Sequence, residues 1–191
     1  MAASSLDLVM GPATLYIAAF GATEPADADV NTNPAASAWT DLGATNGGVE
    51  IAINQDYKEL EADQFVDVPG ARLTKRELTV KTSLATPTLR NLQYALNDGT
   101  LGASGSGFSG TYDPEFASSA TQPTYRALIV DGYAPGGEFR RRLIVRKCLS
   151  TDNVKTSYSK DGQTLFDVTW SAFYVTSSTS PFHVVDGNAA L

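Results

Sequence analysis

The sequence predicts a mainly β fold, an antiparallel β-sandwich or incomplete barrel with one flanking α-helix. Strands are indicated where apolar and polar residues alternate with a period of two, and a helix where leucine recurs at helical spacing. The 191 residues are enough for one domain with a sizeable core. Within this single domain, residues 1–191, we expect an N-terminal arm over residues 1–12 and a C-terminal arm over about residues 177–191.

Six segments have the composition of strands. In the second, Val49, Ile51 and Ile53 share one face, and in the third Leu78 and Val80 do so. An Asp-Gly pair at residues 161–162 is a hairpin signal ahead of the last strand. The predicted strands cover residues 14–20, 49–54, 72–84, 124–130, 139–149 and 163–176.

One helix is predicted directly after the third strand. Thr86 is suited to cap its N-terminus and Pro87 to occupy its first position. An Asn-Asp-Gly sequence at residues 97–99 ends the helix, and a flexible loop rich in Gly and Ser follows up to residue 110. We expect the helix to pack on the sandwich through an apolar stripe of Leu89, Leu92 and Leu96.

Charge is distributed unevenly along the chain. The net charge of −7 disfavours non-specific nucleic-acid binding, which gains its affinity from Lys and Arg. Residues 24–67 contain ten acidic residues and one basic residue, whereas residues 72–147 contain eleven basic and six acidic residues. This pattern fits either a solvated polar surface or a molecule whose acidic and basic sides associate head to tail. We expect the arginines at residues 140–142 and 146 to pair with carboxylates of another copy.

Residues typical of catalytic and metal sites are scarce. His183 is the only histidine and Cys148 the only cysteine, which disfavours a catalytic triad, a redox cysteine pair and a zinc site with two histidines. A Gly-x-Gly-x-x-Gly sequence at residues 105–110 follows a helix, whereas a dinucleotide site needs it between a strand and a helix. We therefore predict no enzyme activity and no cofactor. Cys148 is expected to be a small buried hydrophobe, and no signal peptide or membrane-spanning helix is indicated.

A long acidic segment separates the second and third strands. Residues 55–70 hold five acidic residues without a clear period and end in Val-Pro-Gly, a turn signal. Because this length exceeds a usual hairpin connection, we predict a functional loop. Its carboxylates could bind Ca²⁺, but the segment lacks the glycine-bearing pattern of an EF-hand. A solvated or interface loop is therefore the preferred interpretation.

The order of these motifs resembles that of the major tail tube proteins of long-tailed, siphovirus-type bacteriophages. The resemblance begins with Trp-x-x-Leu-Gly at residues 39–43 and Gly-Val-x-Ile at residues 48–51. It continues through the acidic segment and the charged third strand to Thr-Pro-Thr-Leu-x-Asn-Leu at residues 86–92. About 60 residues carry the likeness well.

The resemblance implies a structural protein of the virion tail, assembled in the host cytoplasm. Six copies would close a ring, and rings would stack into a tube that conducts DNA into the host without binding it specifically. Implied partners are other copies of the chain, a tape measure protein, and tail terminator and distal tail proteins, with no membrane. The segment at residues 55–70 would contact the next ring, through Asp56, Tyr57, Lys58, Glu59, Glu61 and Asp63.

The alternation of the strands also suggests which side chains would line such a tube. A sheet with a polar face backed by an apolar core suits a wet channel. The lumen candidates are Glu50, Glu77, Thr79 and Lys81, although these faces would alternatively meet outer solvent or a neighbouring subunit. Two other classes fit the sequence: a β-sandwich module that binds to or decorates a virion, and a tube protein of the type VI secretion kind.

Overall fold

The computed structural model describes residues 8–61, 63, 65–104, 109–115, 120, 122–136 and 138–188. Its elements are the strands β1 (Thr14–Ala19), β2 (Thr40–Asp41), β3 (Thr45–Leu60) and β4 (Gly70–Leu84), the helix α1 (Leu89–Ala95), and the strands β5 (Thr100–Ser104), β6 (Ser109–Asp113), β7 (Arg126–Tyr133), β8 (Arg140–Ser150), β9 (Phe166–Ala172) and β10 (Phe182–Asp186), with a short 3₁₀-helix at Asp27–Asp29.

The main sheet is antiparallel and does not close on itself, which confirms the predicted fold class. Its strand order is β2-β1-β7-β8-β9-β4-β3. Strand β8 holds the two parts of the sheet together, because its second half pairs with β9 and its first half pairs with β10. Strands β5 and β6 form a separate hairpin beside α1.

The core lies between the two curved parts of the sheet. Strands β1, β7 and β8 contribute one side, and β4 and β9 contribute the other, with Tyr94 and Ala95 of α1 packed at the edge. The alternation predicted for β4 is confirmed, since Leu78, Val80 and Leu84 are all at most 3% exposed. The largest buried side chain is Trp170 of β9.

A second apolar cluster lies on the other face of β1, β7 and β8. The loop between β1 and β2 covers it with Trp39, whose indole nitrogen donates to the carbonyl of Thr23 at 3.0 Å. Arg142 of β8 is buried beneath the same loop and donates to the carbonyls of Val30 and Thr32 at 3.1 and 2.6 Å. This half of the sheet is therefore covered on both faces.

Arg142 is neutralised inside the chain. Its guanidinium donates to the Asp131 carboxylate at 2.7 Å, and both side chains are at most 2% exposed. Two other arginines of this group also have partners inside the chain, since Arg141 binds Asp186 and Arg146 binds Glu24, so their pairing with another copy stays a prediction. Strand pairing places Asp131 beside Arg142 and Asp186 beside Arg141, and this long-range register has no local signal in the sequence.

The helix departs from the prediction at its start and on its buried face. Thr88 caps it by accepting from the Asn91 backbone nitrogen at 3.1 Å, while the Thr86 hydroxyl accepts from the backbone of Ala44. Leu92 packs against the core as predicted, but Leu89 and Leu96 are 40% and 44% exposed. Residues Asn91, Tyr94 and Ala95 form the buried face instead.

Asn91 explains why leucine spacing indicated the wrong face. Its side-chain amide donates to the carbonyls of Leu42 and Thr86 at 2.8 and 2.7 Å. A buried amide is tolerated when its hydrogen bonds are made, and these bonds tie the helix to the turn after β2. The helix ends as predicted, with Asn97 and Asp98 at φ of 60° and 141°.

Three further segments differ from their predictions. Within the segment predicted as a flexible loop up to residue 110, β5 and β6 pair as a hairpin; the Gly-x-Gly-x-x-Gly sequence lies mostly outside the described residues. The Asp-Gly pair at residues 161–162 does not form a tight hairpin turn, because it lies inside the long connection, residues 151–165, between the paired strands β8 and β9. Residues 182–186, expected in a C-terminal arm, form β10 on the edge of β8.

The packing of the core leads to a first prediction about stability. Leu128→Ala removes a fully buried side chain and should lower the free energy of unfolding by about 2–5 kcal/mol, because it leaves a cavity among well-packed neighbours. The matched control Leu96→Ala removes an exposed leucine and should change stability by less than about 1 kcal/mol. Denaturant unfolding of both variants measures the difference, and equal losses would contradict the described packing.

The buried ion pair gives a second prediction. Asp131→Asn leaves the Arg142 guanidinium without a counter-charge and should cost about 3–5 kcal/mol of stability. In Asp186→Asn the partner Arg141 is half exposed and hydrated, so the cost should stay below about 1 kcal/mol. Equal stability of the two variants in chemical denaturation would contradict the role of Asp131 as the counter-charge of the buried Arg142.

Cys148 gives a third prediction. Burial raises the pKa of the Cys148 thiol from 9.0 to about 12, although Arg126 opposes the shift. Because the folded pKa lies above the unfolded value, the stability linked to this thiol is complete below about pH 9 and is lost as the pH rises toward about 12. The folded protein should therefore resist thiol reagents at pH 8 and react once unfolded; rapid labelling of the folded protein would contradict the burial.

Candidate assembly surfaces

One face of the section formed by β3, β4 and β9 is polar. Glu50 lies opposite Lys81 on the neighbouring strand, and Lys81 in turn lies opposite Thr169. Directly paired residues project to the same side of a sheet, so the register brings the candidates Glu50, Glu77, Thr79 and Lys81 onto one surface. We call this surface the polar face; it consists of Glu50, Ala52, Asn54, Glu77, Thr79, Lys81, Ser83, Asp167, Thr169 and Ser171.

Strand β4 determines the direction of the polar face. Leu78, Val80 and Leu84 are anchored in the core, and Thr82 between them is 5% exposed and donates to the carbonyl of Gly48 at 2.8 Å. Successive residues of a strand point to opposite sides. Burial of the even-numbered residues therefore turns residues 77, 79, 81 and 83 away from the core.

The charges on the polar face are few and partly balanced. Three carboxylates (Glu50, Glu77 and Asp167) stand against one ammonium group, that of Lys81. The Ser83 hydroxyl donates to Asp167 at 2.5 Å, and Glu77 binds Lys75 at 2.6 Å. The remaining side chains are small and uncharged, so the surface offers hydrogen bonds without a concentration of positive charge.

Beyond the polar face, β3 and β4 continue as a ribbon. The pairing runs from Gln55 with Arg76 to Leu60 with Gly70, and residues 55–60 and 71–76 are exposed on both faces. We call these paired residues the ribbon, and the described residues between its two strands, 61, 63 and 65–69, its tip. The prediction of a loop over residues 55–70 is therefore wrong for residues 55–60, which belong to β3, and for residue 70, which begins β4. This segment lacked a sequence period because neither face of the ribbon is buried.

The six residues predicted for the inter-ring contact are divided between these two parts. The ribbon carries Asp56, Tyr57, Lys58 and Glu59, and Glu61 and Asp63 belong to the tip. Tyr57 is 59% exposed and donates from its hydroxyl to Gln55 at 3.0 Å. A two-stranded hairpin without a supporting layer is only marginally stable in water, so the ribbon is suited to contact another surface.

The tip is also apolar, which sequence reasoning missed. Phe65 is 66% exposed, Val66 is fully exposed and Val68 is 55% exposed. These side chains alternate with carboxylates, and the acidic composition drew attention away from them. The sequence signal for an exposed apolar tip was the adjacent Phe-Val pair at residues 65–66, inside a segment whose acidic residues were its most evident feature.

A second apolar surface lies where the sheet fails to close. Val49, Ile51 and Ile53 of β3 face across a groove toward Leu143 of β8 and Val184 of β10. Ile51, Ile53 and Val184 are 44%, 47% and 49% exposed. The other residues lining this apolar groove are Ala13, Val130, Gly132, Tyr133 and Arg141.

Among the described residues, no strand pairs with the edge of β3 that faces away from β4. This strand is 16 residues long, and a long free edge is a ready template for pairing with another chain. The edge and the ribbon belong to the part of the sheet formed by β3 and β4, and the apolar groove lies between β3 and the strands β7, β8 and β10.

The described residues do not form the catalytic, metal-binding or phosphate-binding sites that were considered from the sequence. His183 lies in β10 and its Nε2 is 3.2 Å from Asp27. Within the described residues, no three His, Cys, Asp or Glu side chains are grouped so that they could hold a metal ion, and no helix has the length and apolarity to span a membrane. The arginines at residues 140–142 do not form a phosphate-binding patch, since each contacts a carboxylate.

An open sheet edge, a projecting ribbon and an uncovered groove are surfaces suited to association with other protein molecules. Comparison with protein families matches residues 2–189 to the phage tail tube protein family. The chain therefore belongs to this family, as the order of its motifs predicted. It is a structural component of a phage tail, and its family assembles into a tube. No curated protein matches the chain.

Proposed function

We propose that this chain assembles as hexameric rings that stack into the tail tube, and that the tube conducts DNA during its ejection into the host. The observation that carries the proposal is the polar face, a three-stranded surface of polar side chains that is backed by the core along β4 and β9. Such a surface is suited to a water-filled channel. Assembly takes place in the host cytoplasm, with a tape measure protein and tail terminator and distal tail proteins as further partners.

The composition of the polar face supports a channel for DNA. Proteins bind DNA non-specifically by neutralising phosphates with Lys and Arg, which releases counterions. The polar face has one such side chain, Lys81, placed opposite the carboxylate of Glu50. A lumen lined in this way holds no phosphate firmly, so that DNA passes without being retained.

The free edge of β3 supports ring closure. Pairing of this edge with a strand of the neighbouring subunit would continue the sheet from one copy to the next. A closed ring then has no exposed edge, which removes the risk of uncontrolled strand addition. The polar faces of six copies would form one continuous inner surface.

Electron microscopy of the purified protein tests the assembly. The proposal predicts rings with six-fold symmetry and tubes made of stacked rings. Trimers or monomers that bind to capsids would instead support a decoration module. Rings of another symmetry would contradict the hexamer while leaving a tube possible.

A charge reversal tests the lumen. Glu50→Lys together with Glu77→Lys would place rows of phosphate-binding charge around each ring, so DNA release from particles should slow at low salt and recover as salt rises. The matched control is Asp152→Lys with Asp161→Lys, which makes the same charge change at exposed positions outside the polar face. Release kinetics are measured on particles with normal tails, and unchanged release at low salt would remove Glu50 and Glu77 from the lumen.

A further inference from the structure

The tip and the apolar groove are two exposed apolar surfaces on a chain whose family assembles with itself. The tip projects Phe65, Val66 and Val68. The groove is a concave surface walled by Ile51, Ile53 and Val184. A convex apolar element and a concave apolar element of this kind are complementary, and each leaves a large apolar area in water while the chain is alone.

The tip cannot fill the groove of its own chain. Ile53, at the groove, pairs with Leu78, and Leu60, at the tip, pairs with Gly70. The intervening paired strand extends by roughly 3.3 Å per residue, which places the tip about 20 Å beyond the groove. Because the ribbon is hydrogen-bonded along this length, it does not fold back on its root. An occupant that comes from a tip must therefore belong to another copy.

The polar groups at the groove match those of the tip. Arg141 lines the groove, and its side chain is 48% exposed. It binds Asp186 through Nε and one terminal nitrogen, at 2.8 and 2.6 Å, and a guanidinium has further donors for a second carboxylate. Asp63 and Asp67 of the tip flank the exposed Phe65 and Val66 and can supply that carboxylate.

We propose that the tip of one copy inserts into the apolar groove of a copy in the adjacent ring. Phe65 and Val66 pack against Ile51, Ile53 and Val184, and a carboxylate of the tip binds Arg141. The contact joins two different surfaces, so its repetition builds an open stack with one direction. This inference rests on the proposed stacking of rings and names the surface that receives the tip.

Cysteine cross-linking tests the contact directly. In the double variant Val66→Cys, Val184→Cys, oxidation of assembled tubes should link copies into a ladder on a non-reducing gel. The control Val66→Cys, Tyr158→Cys carries the second thiol at a site 83% exposed and away from the groove. We expect at least ~10-fold more linked product than in the control, because adjacent thiols have millimolar effective concentrations. Native Cys148 is fully buried and does not interfere.

The outcomes separate this inference from the proposed function. Tubes with six-fold rings that show no more cross-linking than the control would overturn the tip-to-groove contact and leave the tube intact. An absence of rings from the natural protein would instead overturn the proposed function. The same gel identifies other occupants, since cross-links confined to single rings would show that a lateral neighbour fills the groove.

A second experiment, in which a variant blocks one end of the growing tube, tests the contact if the double cysteine variant does not assemble. The variant Phe65→Ser, Val66→Ser, Val68→Ser changes only exposed side chains, so its fold and its groove are retained. It should add to one end of a growing tube and stop growth there, so a small proportion mixed with natural protein should shorten the tubes. Tyr158→Ser is the control and should leave tube length unchanged. Equal tube lengths with both variants would overturn the inference.

Discussion

The structure depends on the two-faced character of β4. Its even-numbered residues from Leu78 to Leu84 are all buried, whereas the odd-numbered residues between them face away from the core. Because β4 pairs with both β3 and β9, its orientation determines theirs, and a shift of one residue would exchange the buried and exposed faces of all three strands. The core and the polar face are therefore two consequences of one alternating sequence.

The two halves of the sheet differ in how much of their surface the chain itself covers. Strands β1, β7 and β8 are covered on both faces, by the main core and by the loop that carries Trp39. The pair Arg142 and Asp131 holds that loop through backbone carbonyls, so it adds a specific geometry where apolar packing alone would not specify one. The half containing β3, β4 and β9 has an open edge and a ribbon, and the groove lies between the two halves. The covered half thus supports surfaces that are available to neighbours.

The strands that pack on one face were predictable from the sequence, and features that depend on distant pairing were not. The alternation around Val80 indicates a half-buried strand without further information, and the buried Cys148 follows from its apolar strand. The ribbon has two exposed faces, so it leaves no periodic signal, and it was mistaken for a loop. The buried face of α1 includes Asn91, whose burial depends on carbonyls at Leu42 and Thr86 that only the folded chain supplies.

Of the candidate assembly surfaces, the polar face was partly predictable from the sequence and the apolar groove was not. Four members of the polar face, Glu50, Glu77, Thr79 and Lys81, were predicted because each alternates with apolar residues of its strand. The strand register shows that they share one surface with six further residues. The apolar groove was invisible, because Ile51 and Ile53 look like ordinary core residues in the sequence. Their exposure arises from the failure of the sheet to close, a property of the whole strand order.

The most direct test of this account is a cryo-electron microscopy map of the assembled tube at a resolution that traces strands. The account predicts that the Cα atoms of Glu50, Thr79 and Lys81 lie at the smallest radius, around the channel, with the loop of Trp39 at a larger radius. A map in which that loop lines the channel and the polar face points outward or into a contact between subunits would contradict it.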